Sequence, residues 1–352
     1  MFRRSATAVV ALTATAGLLA GCGSSSSGSH APASNISGAT AADELSNALT
    51  ALSQASTLTT SLKLGTTGSQ LLAFIKAQDK KAHLTAQQAN EIAGASINIE
   101  VAAPSGKTLA DLSSSGGVSQ AGAVDISVSD LGKVFFTIRF VSQTLYLQAD
   151  LKDLFNTLGQ AATYRQIEGA GAQLPAFVGA LVRGDWVSLP LSTLKSLSGS
   201  LGAGLAASPS ATQKSQVLDQ LKSLLTTDVT VTKSSSGGTD TLTLTTNLRS
   251  FAGDFVTTFG STIPGASTAL AHANLSGAPN KNVSLVATVS GGALASLSFD
   301  LGQIAKSGNG TLPIELTFAQ SGPAITAPSG AVAVDTSQLT GLLGAFGGGG
   351  GF

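Results

Sequence analysis

Cys22 is the residue whose type and position point most directly to chemistry. It ends the sequence Leu19-Ala20-Gly21-Cys22 and is the only cysteine in the chain. Two arginines precede an apolar stretch over residues 5–20, which is too short for a typical membrane span but suits a cleavable export signal. This arrangement is typical of a bacterial lipobox, in which the cysteine thiol receives a diacylglyceryl group through a thioether. We therefore expect a signal peptide over residues 1–21 and lipidation of Cys22.

Lipidation would hold the protein at the extracytoplasmic face of the cell membrane. Each buried methylene of an acyl chain contributes about 0.8 kcal/mol, so two chains make a stable anchor where one chain is marginal. The alternative is an ordinary signal peptide that is followed by a cysteine with no such role. Because the single cysteine stands directly at the end of the apolar stretch, we favour the lipid anchor.

The chain lacks the sequence patterns of common catalytic and cofactor sites. It contains no Gly-x-Ser-x-Gly nucleophile elbow and no Gly-x-x-x-x-Gly-Lys phosphate loop. Ser192 and Lys195 have the Ser-x-x-Lys spacing of acyl enzymes, but the companion elements are missing, so we interpret Ser192 as a helix N-cap. The histidines are scattered and provide no ligand set for zinc. No catalytic residue, metal site or cofactor is therefore predicted, and the protein is not expected to be an enzyme.

The composition is that of a folded protein that does not bind nucleic acid. Hydrophobic residues make up 43% of the 352 residues and charged residues only 11%, against roughly 25% charged residues in ordinary soluble domains. Disordered chains need the opposite mixture, so most of this chain is expected to fold. The formal net charge is zero, which leaves no surplus of lysine and arginine to neutralise the phosphates of a nucleic acid.

Composition also divides the chain along its length. Residues 22–40 are rich in serine, glycine and alanine and predict a flexible linker behind the lipidated cysteine. Residues 41–346 are expected to form one folded domain, followed by a disordered glycine-rich tail at 347–352. A linker of this length reaches on the order of 20–25 Å, which would keep the folded domain near the membrane surface.

Hydrophobic periodicity predicts an α+β fold. Helical spacing occurs at residues 41–55 and at residues 70–93, and the second stretch is interpreted as one amphipathic helix. Period-two segments separated by glycine and serine turns predict strands at 57–64, 96–102, 123–129, 133–141, 144–149, 186–190, 228–233, 239–246, 282–290, 293–301 and 311–320. Many antiparallel strands with few inserted helices indicate one strongly curved antiparallel sheet, a half-barrel, with helices packed against its concave face.

One face of this predicted sheet is apolar enough to bind a ligand. In residues 133–141 the alternation places Phe136, Ile138 and Phe140 on the same side of the strand. The candidate lining residues of a cavity, chosen by strand face and apolarity, are Phe136, Ile138, Phe140, Leu145, Leu147, Trp186, Leu285 and Phe299. Trp186, the only tryptophan, suits the cavity rim or, as is more usual for a lone aromatic residue, a packing anchor. Periodicity does not distinguish such a cavity from a filled core.

Several stretches of the sequence resemble a known family. They are Leu131-Gly132-Lys133-Val134, Thr144-Leu145-Tyr146-Leu147, Gly184-Asp185-Trp186-Val187-Ser188-Leu189 and Ala327-Pro328-Ser329-Gly330. With the lipobox, the linker and the N-terminal helix, they resemble the LppX–LprAFG lipoproteins of actinobacteria, which share the half-barrel fold of the LolA and LolB lipoprotein carriers. The resemblance spans most of residues 41–340. It implies a protein that binds a lipid or lipoglycan inside the half-barrel and is not an enzyme.

Two hypotheses of function follow. The first is a membrane-anchored lipoprotein that binds, and can transfer, a lipid or lipoglycan in an apolar cavity. The second is a structural or interaction lipoprotein with a solid core, which binds an envelope protein or a cell-wall polymer through its surface. A buried apolar void would favour the first hypothesis, and a close-packed interior would favour the second.

Overall fold

The structure is a computed structural model that describes residues 31–36, 38–114, 122–171, 174–193, 229–250, 253, 279–305 and 310–335. The predicted signal peptide, Cys22 and the tail at 347–352 lie outside the described residues. The strands are β1 Ala31–Ile36, β2 Thr57–Leu64, β3 Ala95–Ala102, β4 Ala123–Asp130, β5 Lys133–Val141, β6 Thr144–Ala149, β7 Val187–Pro190, β8 Val229–Ser236, β9 Thr239–Asn247, β10 Asn282–Ser290, β11 Ala293–Asp300, β12 Pro313–Ala319 and β13 Val332–Ala333. The helices are α1 Gly38–Ser53, α2 Gly68–Gln78, α3 Ala86–Gly94, α4 Leu109–Ser114, α5 Leu151–Thr157, α6 Ala161–Gly169 and α7 Ala176–Arg183.

The described strands form one 13-stranded sheet in the order β1-β8-β9-β10-β11-β12-β2-β3-β4-β5-β6-β7-β13. Neighbouring strands are antiparallel, apart from the parallel pair of β7 and β13. The sheet is open, because its edge strands β1 and β13 are not neighbours in this order. The predicted fold class, an α+β protein built on a large antiparallel half-barrel sheet, is confirmed.

Two-residue turns join several of the hairpins and require a positive φ at both positions. Glycine pairs meet this requirement at Gly237-Gly238 and Gly291-Gly292. The turn between β4 and β5 instead combines Gly132 with Leu131, which has a φ of 47° and a 75% exposed side chain. A leucine is poorly suited to this conformation, so the turn keeps an exposed apolar residue at a local cost.

The single helix predicted over residues 70–93 is wrong, because this stretch forms two helices. α2 ends at Gln78, and the carboxylate of the next residue, Asp79, accepts a hydrogen bond from the Lys81 backbone N–H at 2.9 Å. α3 then begins after Thr85, which forms a capping box with Gln88. These capping interactions therefore stabilise two separate helices over one continuous helix.

The predicted flexible linker over residues 22–40 contains a strand that the sequence does not predict. Its residues Ala31–Ile36 form β1, which pairs with β8 at one edge of the sheet. This segment has no alternation of apolar and polar residues, so its sequence gives no strand signal. The pairing is made by backbone groups along the otherwise open side of β8, which is an interaction that side-chain patterns do not report.

α1 packs on one end of the sheet and buries the main apolar cluster. Ala41, Ala48 and Leu52 of α1 pack with residues of β8 to β11, including the fully buried Leu242 and Leu294. Truncation of leucines buried in this way typically costs 2–5 kcal/mol. The cluster therefore fixes α1 on the sheet.

An ion-pair network strengthens the same contact. The Lys233 ammonium of β8 lies 2.8 Å from the Glu44 carboxylate of α1 and 3.0 Å from the Asp240 carboxylate of β9. Burial opposes the charged form of Lys233, but hydrogen bonds to Glu44 and Asp240 outweigh this effect and raise its pKa. The network ties the first turns of α1 to two strands.

α7 covers the opposite end of the sheet. Phe177 and Ala180 of α7 pack with Val187 of β7, and Leu147 of β6 joins this second cluster. Val332 also packs against this second cluster and belongs to β13, the strand that pairs with β7. Two helices are thus placed at the two ends of the sheet. The central strands β12, β2, β3, β4 and β5 lie between them.

Candidate functional site

Strand register brings apolar side chains into continuous rows across the middle of the sheet. Phe136 of β5 lies opposite Val128 of β4, which lies opposite Ile97 of β3. Ile97 in turn lies opposite Leu62 of β2, and Leu62 opposite Leu316 of β12. Directly opposed residues project from the same face of a sheet. We call the central part of this face the apolar stripe, formed by Leu62, Ile97, Ile99, Ile126, Val128, Phe136, Ile138 and Leu316.

The predicted lining residues of β5 and β6 lie on this same face. Ile138 pairs with Leu147 of β6, and Phe140 pairs with Leu145. Phe136, Ile138 and Phe140 alternate along β5 and therefore share one side of it. Phe136 and Ile138 belong to the stripe, and Phe140, Leu145 and Leu147 lie next to it on the same face.

Leu285 and Phe299 extend the face at its other side. They pair with each other across β10 and β11, and Phe299 pairs with Ile314 of β12. Ile314 lies opposite Leu64 of β2, which alternates with Leu62 of the stripe. Seven of the eight predicted lining residues therefore project from one face, in two groups separated by β4, β3, β2 and β12.

The centre of this face is exposed although it is apolar. Ile97 is 40% exposed, Ile99 38% and Phe136 37%. Towards the ends of the face the helices pack on it, because Leu285 joins the cluster around α1 and Leu147 joins the cluster around α7. Isoleucine and phenylalanine in central strands are normally covered, so a half-exposed apolar row is an unusual feature of the described residues.

Trp186 does not join the other predicted lining residues. Its ring lies 5.0 Å from the guanidinium carbon of Arg139. Arg139 alternates with Ile138 and Phe140 on β5, so it projects from the opposite face, here called the outer face. Trp186 therefore serves as a stacking partner of a charged residue on the outer face.

Arg139 organises a polar row on the outer face. Its Nε donates to the Asp125 carboxylate of β4 at 2.7 Å. Its Nη1 donates to the carbonyl oxygen of Thr326 at 3.0 Å. Thr326 belongs to residues 320–331, a segment between β12 and β13 that we call the strap. Arg139 thus contacts the neighbouring strand β4, the only tryptophan of the sequence and the strap.

The strap is also fastened near its start. Thr59 of β2 donates through Oγ1 to the carbonyl oxygen of Ser321 at 3.0 Å. A Cβ at Gly322 would overlap the carboxylate of Glu100 on β3 and lie 2.8 Å from Thr59 Oγ1, so glycine permits this close approach. Together with the Arg139 contact, these interactions hold the strap across the outer face from β2 to β5.

Glu100 is an electrostatically costly part of this row. Burial and the negative charge of Asp125 raise the pKa of the Glu100 carboxyl, and the nearby Arg139 charge opposes the increase. Its Oε1 is buried and has no hydrogen-bond partner among the described residues. Arg139 is therefore the group that makes two neighbouring carboxylates tolerable on the outer face.

A cleft of about 320 Å³ lies where β5 begins and β6 ends. It is lined by Val134, Phe135, Phe136, Thr137, Gln148, Asp150, Lys152, Tyr164, Val182, Arg183 and Gly184. Phe136 belongs both to this cleft and to the apolar stripe. The sequence has no local signal for the cleft, because its lining comes from β5, β6, α5, α6 and α7 and is assembled only by the packing of the helices.

Two further properties concern only the part of the chain that the structure describes. No group of three or more histidine, cysteine, aspartate or glutamate residues there is arranged to hold a metal ion. No described helix has both the length and the hydropathy needed to cross a bilayer.

Comparison with known proteins gives similarity to solved structures alone. No protein-family profile matches the chain, and no curated protein matches it. Among solved structures, the chain is similar to the crystal structure of LprF from Mycobacterium bovis, with a TM-score of 0.31 and 11% sequence identity over 86% of this chain and 100% of that chain.

Proposed function

We propose that this protein is a membrane-anchored extracytoplasmic lipoprotein that binds a lipid or lipoglycan on its apolar stripe and transfers it. The anchor is diacylglyceryl-Cys22, and the protein acts as a binding protein and not as an enzyme. The observation that carries the proposal is the exposure of Ile97, Ile99 and Phe136 in the middle of an apolar sheet face.

The dimensions of the stripe suit an acyl chain. Strands in a sheet lie about 4.8 Å apart, so the four steps from β5 to β12 span about 19 Å. The hydrocarbon core of a bilayer is about 30 Å thick, which gives about 15 Å for the chains of one leaflet. An extended acyl chain that crosses the strands can therefore lie on apolar side chains along its whole length.

The energetics favour a protective role. A chain of about 16 carbons gains on the order of 12 kcal/mol when it leaves water, before the costs of binding are subtracted. The gain on leaving a membrane is much smaller, because the chain is already in hydrocarbon. A binding protein of this kind therefore shields a lipid during its passage through water.

The alternative function, an interaction lipoprotein with a solid core, has less support. A solid core requires packed side chains over the central strands, as α1 and α7 provide at the two ends of the sheet. The exposure of Ile97 and Ile99 does not fit such packing by the described helices.

Native mass spectrometry combined with organic extraction tests the proposal. The mature chain, purified from an actinobacterial host, is expected to carry one equivalent of a lipid or lipoglycan, because the stripe leaves apolar surface for it to cover. Extraction should remove this mass and identify the class of the ligand.

A clean ligand-free mass would contradict the proposal if it stayed unchanged after incubation with lipids extracted from the host. That result would favour the solid-core interaction protein. Bovine serum albumin passed through the same incubation serves as a positive control for delivery of the lipids.

Membrane anchoring is tested separately by the substitution Cys22→Ser. The serine hydroxyl does not form the thioether, so the variant is expected to leave the membrane fraction, whereas the unchanged chain stays in it. Fractionation followed by immunodetection measures the distribution. A variant that remained wholly in the membrane fraction would disprove the lipid anchor.

A further inference from the structure

Leu131 is the most exposed large apolar residue that the structure describes, at 75%. It occupies the turn between β4 and β5 with a φ of 47°, and Gly132 follows it with a φ of 84°. Turns with a positive φ at both positions favour Asn-Gly, because asparagine tolerates this conformation better than leucine does. The turn therefore carries a residue that costs stability and is mostly uncovered by the fold.

Two further exposed apolar side chains lie near the same end of the sheet. Val134, the second residue of β5, is 49% exposed, and Leu158, directly after α5, is 57% exposed. α5 is tied to this end of β5, because the Asp150 N–H donates to the carbonyl oxygen of Phe135 at 2.8 Å. We call the three most exposed large apolar residues of the described chain, Leu131, Val134 and Leu158, the apolar tip.

The charged groups beside the turn favour an apolar contact. The Lys133 ammonium lies 3.1 Å from the Asp153 carboxylate, so these two exposed groups form an ion pair. Asp130, which precedes Leu131, is buried, and burial together with the Glu91 charge raises its pKa. An apolar surface of this kind gains its affinity from hydrocarbon and needs no anionic lipid.

The length of the chain before β1 identifies a bilayer as the surface within reach. Ala31 begins β1 nine residues after Cys22, and an extended chain spans at most about 3.3–3.6 Å per residue, so a lipid anchor at Cys22 lies within about 30 Å of Ala31. Ala31 pairs with Ser235, at the end of the sheet opposite to Leu131. β5 spans nine residues, about 30 Å. The linker is therefore long enough for the tip to touch the bilayer that holds the anchor.

We propose that the apolar tip inserts into the surface of the lipid bilayer and docks the domain there for uptake and release of lipid. This inference rests on the membrane anchoring in the proposed function and adds the surface that meets the membrane. The row of the stripe that contains Val128 lies nearest to this end of the sheet, and Val128 precedes Leu131 by three residues, about 10 Å along β4. Insertion of the tip therefore brings one end of the stripe close to the bilayer.

Flotation with vesicles of dioleoyl phosphatidylcholine tests the tip in the mature chain carrying Cys22→Ser, which has no acyl anchor. We expect reversible binding at millimolar lipid, weaker than that of one acyl chain, because three partly exposed side chains bury less hydrocarbon than a myristoyl group. Such binding does not hold the chain in the membrane fraction of cells. Leu131→Asn should lower the partition coefficient about tenfold, and added sodium chloride should leave it unchanged.

The same substitution separates membrane binding from folding and from lipid binding. Leu131→Asn should raise the midpoint of thermal unfolding, because it creates the favoured sequence for this turn. Its affinity for a monomeric diacyl lipid should stay unchanged, because Leu131 is not part of the stripe. Lipid binding without vesicle binding would overturn the tip, whereas vesicle binding by a chain that takes up no lipid would contradict the proposed function alone.

A fluorescent label provides a matched comparison of the two ends of β5. Cys22 is the only cysteine, so Leu131→Cys or Gln143→Cys in the Cys22→Ser chain gives a single labelling site. Gln143 is also exposed and also has a positive φ, but it lies in the turn at the other end of β5. Vesicles should shift the emission of an environment-sensitive label to the blue at position 131 and not at position 143. Equal responses at the two positions would overturn the proposal.

The experiment also covers a second copy of this chain as the occupant of the tip. Sedimentation velocity measures self-association of the Cys22→Ser chain and of its Leu131→Asn variant. Dimers that Leu131→Asn separates, without binding to vesicles, would assign the tip to contact between copies and overturn the membrane contact. A monomer that does not float with vesicles would overturn it as well.

Discussion

Simultaneous replacement of Ile97 and Ile99 by asparagine is expected to weaken lipid binding about 30-fold. Complete burial of an isoleucine side chain contributes about 1.5–3 kcal/mol. Both side chains are already partly covered, at 40% and 38% exposure, so a bound chain adds only about 1 kcal/mol at each. The sum of about 2 kcal/mol corresponds to about 30-fold in the dissociation constant. Titration of a fluorescent diacyl lipid into the full chain measures the effect.

Ile92→Asn provides the matched control for each of these two changes. Ile92 is 44% exposed, as accessible as the other two isoleucines, but it lies in α3 and not on the stripe. Its replacement is expected to change lipid affinity less than twofold, and circular dichroism should show that all variants are folded at the temperature of the titration. If the Ile97/Ile99 variant bound lipid as tightly as the Ile92 variant, the stripe would not be the binding surface.

The side of the sheet on which each lining residue lies could be predicted from the sequence. Along a strand the side-chain period is two, so the alternation in residues 133–141 already assigns Phe136, Ile138 and Phe140 to one face. Short turns then pair neighbouring strands, which places Leu145 and Leu147 beside them. Local patterns of this kind need no knowledge of distant segments.

The centre of the stripe could not be predicted, because it depends on contacts between distant parts of the chain. Leu62 and Leu316 are neighbours only because β12 inserts beside β2. Likewise, Ile97 and Ile99 alternate as any half-buried strand residues do, and among the described helices α1 and α7 pack elsewhere on this face. Exposure is a property of the assembled sheet and not of β3 alone.

Trp186 lies on the other face for a different physical reason. It immediately precedes β7, and a shift of one residue in a strand moves a side chain to the other face. Val187, the next residue, packs under α7, while Trp186 stacks on Arg139. Its aromatic character suited both faces, and the register decided between them.

The outer face matters for function because it sets the shape of the sheet that carries the stripe. The strap runs across the outer face from β2 to β5, held by Thr59 and Arg139. A tie across several strands restrains how far an open sheet can flatten. Arg139 is the strongest of these ties, because it also neutralises Asp125 and supports Trp186.

Arg139→Met is accordingly expected to destabilise the fold by about 2–3 kcal/mol at pH 7. Methionine keeps much of the side-chain volume, but it leaves the half-buried carboxylates of Asp125 and Glu100 without their cation. Without Arg139, burial and the Asp125 charge raise the pKa of Glu100 unopposed, above the value of 4.5 taken for an unperturbed glutamate. A carboxyl with a raised pKa in the folded state stabilises the fold below its unfolded pKa and loses this contribution as pH rises. The deficit of the variant should therefore be largest at neutral pH and shrink towards pH 4.

Arg183→Met separates this effect from the loss of any surface arginine. Its ion pair with Asp185 is exposed, so the substitution is expected to cost less than 1 kcal/mol at every pH. Thermal unfolding followed by circular dichroism gives the stabilities, and the fluorescence of Trp186 reports the same site, because the chain has no other tryptophan. Only Arg139→Met should change the emission of the folded protein. If the two variants were equally stable at pH 7, the Arg139 contacts would not hold the strap, and the stripe would depend for its shape on α1 and α7.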